Sequence, residues 1–190
     1  TPDTHQQMYP RKRFFDEIIA AFKKCGSVVP VFNDKHLCYN WRDAKAMYDT
    51  ARKMKIPFMA GSSLPVAWRE PQEILPIGSV IEEALVLGYG GLESYGFHML
   101  ETLQCMVERR EGGETGIRSV QALQGESAWQ AQQQGRWSGK LFKAAAEANG
   151  QVVTEEKLRA SMMNQNAAVY LLETRDSVKM SAVMAVNLGA

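Results

Sequence analysis

The sequence predicts an α/β chain in two parts, a parallel α/β layer followed by an α+β domain with an antiparallel or mixed sheet. Three observations predict it. Residues 11–60 alternate helix-like and strand-like segments, the pattern of a parallel sheet joined by right-handed crossovers. Residues 64–78 carry Pro65, Pro71 and Pro76, an irregular stretch that interrupts the alternation. The apolar runs 167–173 and 178–186 then flank Arg175-Asp176-Ser177, which reads as a β-hairpin and brings in antiparallel pairing. The boundary falls between residues 63 and 64, so the parts are 1–63 and 64–190.

In the first part, Pro10 suits a helix first turn, and Phe14, Phe15, Ile18, Ile19, Phe22 and, more loosely, Cys25 recur at helical spacing up to a stop at Gly26. Residues 28–32 are rich in β-branched side chains and read as a buried strand. Asn40 is placed to cap a second helix with Trp41, Ala44, Met47, Tyr48, Ala51 and Met54 on one face. Residues 56–60 form the second strand. In the second part, Ser79–Gly88 reads as a strand and Gly88, Gly90 and Gly91 as a flexible corner. Tyr95–Arg110 reads as a helix burying Phe97, Leu100, Leu103, Gln104 and Val107. A strand over Ile117–Gln124, a helix over Trp137–Ala148 stopped at Gly150, and the hairpin complete it. The glutamine run at 130–135 reads as a helix end or loop, and no internal repeat is evident.

Composition narrows the function classes. The chain has 190 residues, is 45% hydrophobic and 23% charged, and carries a net charge of +1, which is ordinary for a globular protein with one core or one and a half domains. No basic stripe interleaved with aromatics is present, and Arg11-Lys12-Arg13 is balanced by Asp16 and Glu17, so nucleic acid is not an expected partner. No apolar run approaches the ~20 residues of a membrane span. The three cysteines (Cys25, Cys38, Cys105) have neither CxxC nor zinc spacing and point to reduced thiols in a cytoplasmic protein. His5, His36 and His98 have no metal-ligand spacing. The chain begins at Thr1 without Met, as a processed terminus, a trimmed chain or a gene fragment would.

Two stretches carry candidate chemistry. Asn33-Asp34-Lys35-His36 ends the first strand, at the edge where ligands of open α/β sheets bind. Lys35 between Asp34 and His36 reads as a tuned proton donor, or as a solvated lysine in a polar turn. In Gly88–Glu101 a glycine-rich corner leads into a helix bearing His98 and Glu101 three residues apart on one face. A carboxylate that fixes the tautomer of an imidazole makes it a general acid/base; the same pair also serves as an ordinary helix-surface contact. Ser62, after the second strand, reads as a ligand to a cofactor or sugar hydroxyl, or as a turn cap. The chain has no G-x-G-x-x-G or P-loop for a phosphate and no G-x-S-x-G elbow for a hydrolase serine.

With these residues the chain resembles the glucose-fructose oxidoreductase/inositol dehydrogenase (Gfo/Idh/MocA) family. Asp34-Lys35-His36 stands where that family has Glu-Lys-Pro at a strand end. Ser94-Tyr95-Gly96-Phe97-His98-Met99-Leu100-Glu101 stands where it has Asp-x-Gly-x-His-x-x-Asp, with Gly96 and His98 matching and Glu101 replacing an aspartate. The wider context (PVFNDKHL, AGSSLP, ETLQCMVERR) resembles a bacterial branch with no assigned reaction. The resemblance implies that residues 1–63 are the C-terminal part of a Rossmann-like parallel sheet, without its N-terminal half, and that residues 64–190 are an α+β substrate-binding or dimerisation domain with a mostly antiparallel open sheet. It implies hydride transfer between NAD or NADP and a carbohydrate-like hydroxyl. Lys35 would orient the substrate, His98 supported by Glu101 would take the proton, and Asp34, His36 and Ser62 would face the cofactor. The alternative is a non-enzymatic binding or oligomerisation module. Either way the expected partners are a sugar-like small molecule or a second copy in a homo-oligomer.

Overall fold

The computed structural model describes residues 7–70, 72, 74–186 and 188. It is a mixed α/β structure with a two-stranded parallel sheet and a four-stranded mixed sheet. The chain divides into two compact units, Thr1–Ser63 and Leu64–Ala190.

Unit 1 runs α1 (Arg11–Cys25), β1 (Val31–Asp34), α2 (Trp41–Lys53), β2 (Phe58–Gly61). β1 and β2 are parallel, with Val31 opposite Phe58 and Phe32 opposite Met59. The helices start and stop where local chemistry dictates. The Asn40 side chain accepts the Asp43 N–H at 2.8 Å, satisfying a donor that the first turn of α2 leaves open. Gly26, at φ +69°, ends α1 in the left-handed region that glycine enters without steric cost. Phe15 and Ile19 of α1 and Met47 and Ala51 of α2, each pair four residues apart, are buried with Ile56 against Val31 and Phe58.

The expected 28–32 strand is corrected in two respects. Regular structure starts only at Val31, with Val28 and Val29 exposed before it, and it runs on to include Asp34. The strand is also not buried on both faces. Phe32 and its partner Met59 are 58% and 64% exposed, because both helices pack on the opposite face, against Val31 and Phe58. For the same reason Phe14, Trp41 and Tyr48, counted toward the apolar helix faces, are exposed.

Unit 2 opens with a 3₁₀ turn (Leu64–Val66), followed by β3 (Glu83–Gly88), α3 (Leu92–Val107), β4 (Ile117–Leu123), α4 (Glu126–Gln133), α5 (Gly139–Ala148), α6 (Glu155–Met162), β5 (Ala168–Thr174) and β6 (Lys179–Met184). The sheet order is β3-β6-β5-β4. The expected hairpin forms as β5–β6, β4 adds to it antiparallel, and β3 joins β6 in parallel. Side chains alternate across the pleat. Ala84, Val86, Tyr170, Leu172, Met180, Ala182 and Met184 meet Met99, Leu103 and Val107 of α3 on one face. Leu85, Leu87, Val169 and Val183 meet Trp129, Trp137, Phe142, Leu158 and Met162 on the other. The buried indole of Trp137 donates to the Ala128 carbonyl at 3.1 Å, so its one polar atom is satisfied.

Three expectations for this unit are corrected. β3 begins at Glu83 rather than Ser79, since the chain reaches the sheet only after an exposed Val80. α3 begins at Leu92, directly after the glycine corner, and ends at Val107. α5 begins at Gly139 behind a Ser138 cap, leaving Trp137 as a core residue ahead of it. The glutamine run is a helix end, as expected: it forms the last turn of α4 and its C-cap Gln134. The helix α6 was not expected at all; it is capped by Thr154 and anchored by Leu158 and Met162.

Candidate acid–base site

β3 ends at Gly88, and the chain turns through Tyr89, Gly90 and Gly91 into α3. Two glycines leave room here for side chains of α3. Gly90 has φ +102°, and a Cβ on it would lie 2.5 Å from the Tyr95 ring; a Cβ on Gly88 would lie 2.5 Å from the Met99 sulfur. The missing side chains let Tyr95 fold back over the turn. The Tyr89 ring stacks on Tyr95 (centroids 6.1 Å apart, planes at 27°), and Tyr95 meets His98 edge-on at 6.2 Å. Tyr89 is 77% exposed, whereas His98 is half-buried. The result is a short ladder of rings with an imidazole at its inner end, beside the C-terminal end of a strand.

α3 carries two stripes. Leu92, Met99, Leu103 and Val107 face the sheet. Tyr95, His98, Thr102 and Met106, spaced three, four and four residues apart, form a second, half-exposed stripe. The Thr102 hydroxyl donates to the His98 carbonyl at 2.9 Å. Thr102 and Met106 line a groove of about 860 Å³ along the outer edge of β3, which no strand among the described residues covers, with Ala84 and Val86 on the strand side and Leu141 of α5 on the other. The Arg69 guanidinium lies against the Met106 and Cys105 sulfurs and donates to the Pro65 carbonyl, tying the segment before β3 to α3.

Of the residues singled out from the sequence, His98 and Glu101 lie one turn apart on α3, both half-buried. The Glu101 charge also bears on Glu108, whose carboxyl is raised first by burial and then by Glu114 and Glu101. Asp34, Lys35 and His36 lie in unit 1. The Lys35 ammonium pairs with Asp34 at 3.1 Å and, with the charge of Arg11 adding, holds that carboxyl below its ordinary range. His36 has an unusual φ of +28°, its carbonyl accepts from the Asn33 amide at 3.2 Å, and its ring lies 6.1 Å from Tyr9. Ser62 is buried just beyond β2. Lys35 thus belongs to unit 1 and His98 to unit 2. The tyrosine ladder and the Thr102–Met106 stripe escaped the sequence reading. Their signal was present in the i, i+3, i+7, i+11 spacing from Tyr95.

A dinucleotide's pyrophosphate is ordinarily held by a strand-to-helix turn whose open N–H groups face the anion. The described residues do not fit it. At α2 the cap is occupied by Asn40 and Asp43 places a carboxylate in the first turn; at α3 the first turn carries Glu93. Among the described residues no cluster of three or more His, Cys, Asp or Glu side chains is arranged to hold a metal ion, and no helix is long and apolar enough to cross a membrane. No protein-family model matches the chain, and no curated protein matches it.

Proposed function

We propose that unit 2 carries an acid–base site for a carbohydrate-like hydroxyl compound, with His98 as the group that exchanges a proton with the substrate. The observation behind this reading is the Tyr89–Tyr95–His98 ladder at the end of β3. A tyrosine offers an apolar ring face together with a hydroxyl, which suits a sugar ring that is apolar on its C–H face and polar at its rim. An imidazole beside such a platform can accept a hydroxyl proton and return it. The resemblance to the oxidoreductase family gives His98 the same role. NAD or NADP would supply hydride chemistry there when bound, but the described residues do not fit its pyrophosphate.

The test is saturation-transfer NMR of the whole chain with methyl β-D-glucoside and a panel of reducing aldoses, followed by deuterium exchange from D₂O into the C2–H of any aldose that binds, the carbon-bound proton that the open-chain carbonyl makes acidic. Binding weakened at least tenfold by Tyr95→Ala, with the rate of C2–H exchange lowered roughly 10²–10⁴-fold in His98→Ala, is the expected outcome for a general acid–base residue. Unchanged binding and exchange in both variants would remove the ladder from function.

A second reading is supported by a separate observation in unit 1. The exposed Phe32–Met59 pair marks a parallel-sheet face on which, among the described residues of unit 1, no helix packs, whereas parallel sheets are ordinarily covered on both sides. Such a face fits an assembly module, and a monomer in sedimentation equilibrium at every concentration tested would count against that reading.

A further inference from the structure

We propose that the substrate of the His98 site is an elongated glycoside, whose sugar ring lies at the tyrosine ladder and whose uncharged apolar tail lies in the groove along the free edge of β3. The inference rests on the acid–base reading given above and adds the substrate class to it.

Three observations carry it. The first is continuity. His98 and Thr102 are one helical turn apart on the same stripe, joined by the hydrogen bond from the Thr102 hydroxyl to the His98 carbonyl, and Thr102 lines the groove. On the strand side, Val86 lines the groove two residues before Gly88, where the glycine corner begins. Ring platform and groove therefore meet about one turn, or ~5 Å, apart along α3. The second is size and lining. A volume of about 860 Å³ falls within the ~300–1,000 Å³ of small-molecule sites, and Ala84, Val86, Leu103, Met106 and Leu141 make its wall predominantly apolar. The third is charge. Glu82 and Glu83 lie on one side and Lys140 on the other, a net charge of −1 that disfavours an anionic tail, while the apolar wall between them favours an uncharged one. Met106 adds a flexible, polarisable surface that adapts to alkyl or aryl groups of differing shape.

The experiment compares n-octyl with methyl β-D-glucoside on the whole chain, by titration below the micelle concentration of the octyl compound. Burial of a methylene is worth about 0.8 kcal/mol, roughly a threefold to fourfold change in affinity, so even a partly buried tail should bind at least tenfold tighter. The octyl-to-methyl ratio is then read in Met106→Trp and Thr102→Trp, which fill the groove from a half-exposed helix face, and in Leu141→Gln, which approaches from α5. A ratio of ten or more that falls toward one in these variants supports the proposal. Equal affinities for the two glucosides overturn the tail while leaving the His98 site standing. A high ratio that none of the three variants changes places the tail elsewhere and also overturns it. If neither glucoside binds, the acid–base reading fails, and this inference fails with it.

Discussion

Unit 2 packs helices on both faces of three of its four strands, leaving β4 largely exposed, whereas unit 1 covers only one face of its sheet. In unit 2, α3 lies on one side of β3-β6-β5 and α4, α5 and α6 on the other, so residues of both parities along β5 and β6 are buried. In unit 1, α1 and α2 share a single face, so Val31 and Phe58 are covered while Phe32 and Met59 are not. The same kind of apolar run thus has two fates. The difference comes from how many elements surround the strand, not from the strand's own residues. It also explains why the candidate site lies in unit 2: a packed sheet can hold Tyr95 and His98 in place, as ligand-binding groups require.

The largest effect should come from emptying the thicker core. Phe142 is fully buried and meets Trp137 edge-on at 5.8 Å. Phe142→Ala should cost about 3–5 kcal/mol, the range for truncating a buried aromatic. Phe15→Ala, the counterpart in unit 1, should cost less, since that core has fewer walls and exposed neighbours able to settle into the space. Urea unfolding followed by amide exchange in each unit separates the two values. A greater cost for Phe15→Ala would reverse the ranking of the units.

This contrast also explains what was legible in the sequence. Local chemistry was readable wherever a single residue decides it: the Asn40 cap, the Gly26 stop, and the Arg175–Ser177 turn that sets the hairpin. The parallel pairing of β1 with β2 followed from the alternation of helix and strand. α6 was not readable, because Glu155–Met162 has few apolar positions and becomes helical through Leu158 and Met162 docking on a distant part of the chain. At the site, His98 stood out through its chemistry and the glycine corner before it. The groove did not, since it exists only because β6 pairs with β3 and leaves the other edge of β3 open, a fact of topology that no local window contains.

A middle-sized effect concerns the latch between the end of α3 and the β5–β6 turn. The buried Arg110 grips both oxygens of Asp176, at 2.8 and 2.9 Å, and the Thr115 hydroxyl donates to the same carboxylate at 2.5 Å. These hydrogen bonds, that of Arg110 foremost, hold the Asp176 carboxyl well below the ordinary carboxylate range. A carboxyl depressed in the folded state stabilises it fully above the unfolded value, about pH 4, and this contribution is lost as pH falls through the folded value. Asp176→Asn should therefore lower the thermal midpoint by a few degrees at pH 7, and the gap from wild type should narrow below about pH 4. A gap of constant width from pH 7 to pH 3 would dissociate the latch from acid stability. Unit 1 has no counterpart of this kind among its described ion pairs: Lys35–Asp34, Lys12–Asp16 and Lys45–Asp49 are solvated and should contribute little.

The smallest effect should come from the bare face itself. Phe32→Ser and Met59→Ser remove apolar atoms that already face solvent, so each should alter the stability of the isolated chain by less than about 0.5 kcal/mol. The informative quantity is how that value depends on concentration. If the face is covered in an assembly, wild type should gain stability as protein concentration rises while both variants stay flat, because anything that binds only the folded form stabilises it by mass action. Parallel concentration dependence in wild type and variants would mean that nothing is buried there. The contrast between the units would then be one of packing alone, with unit 1 stable on a single covered face.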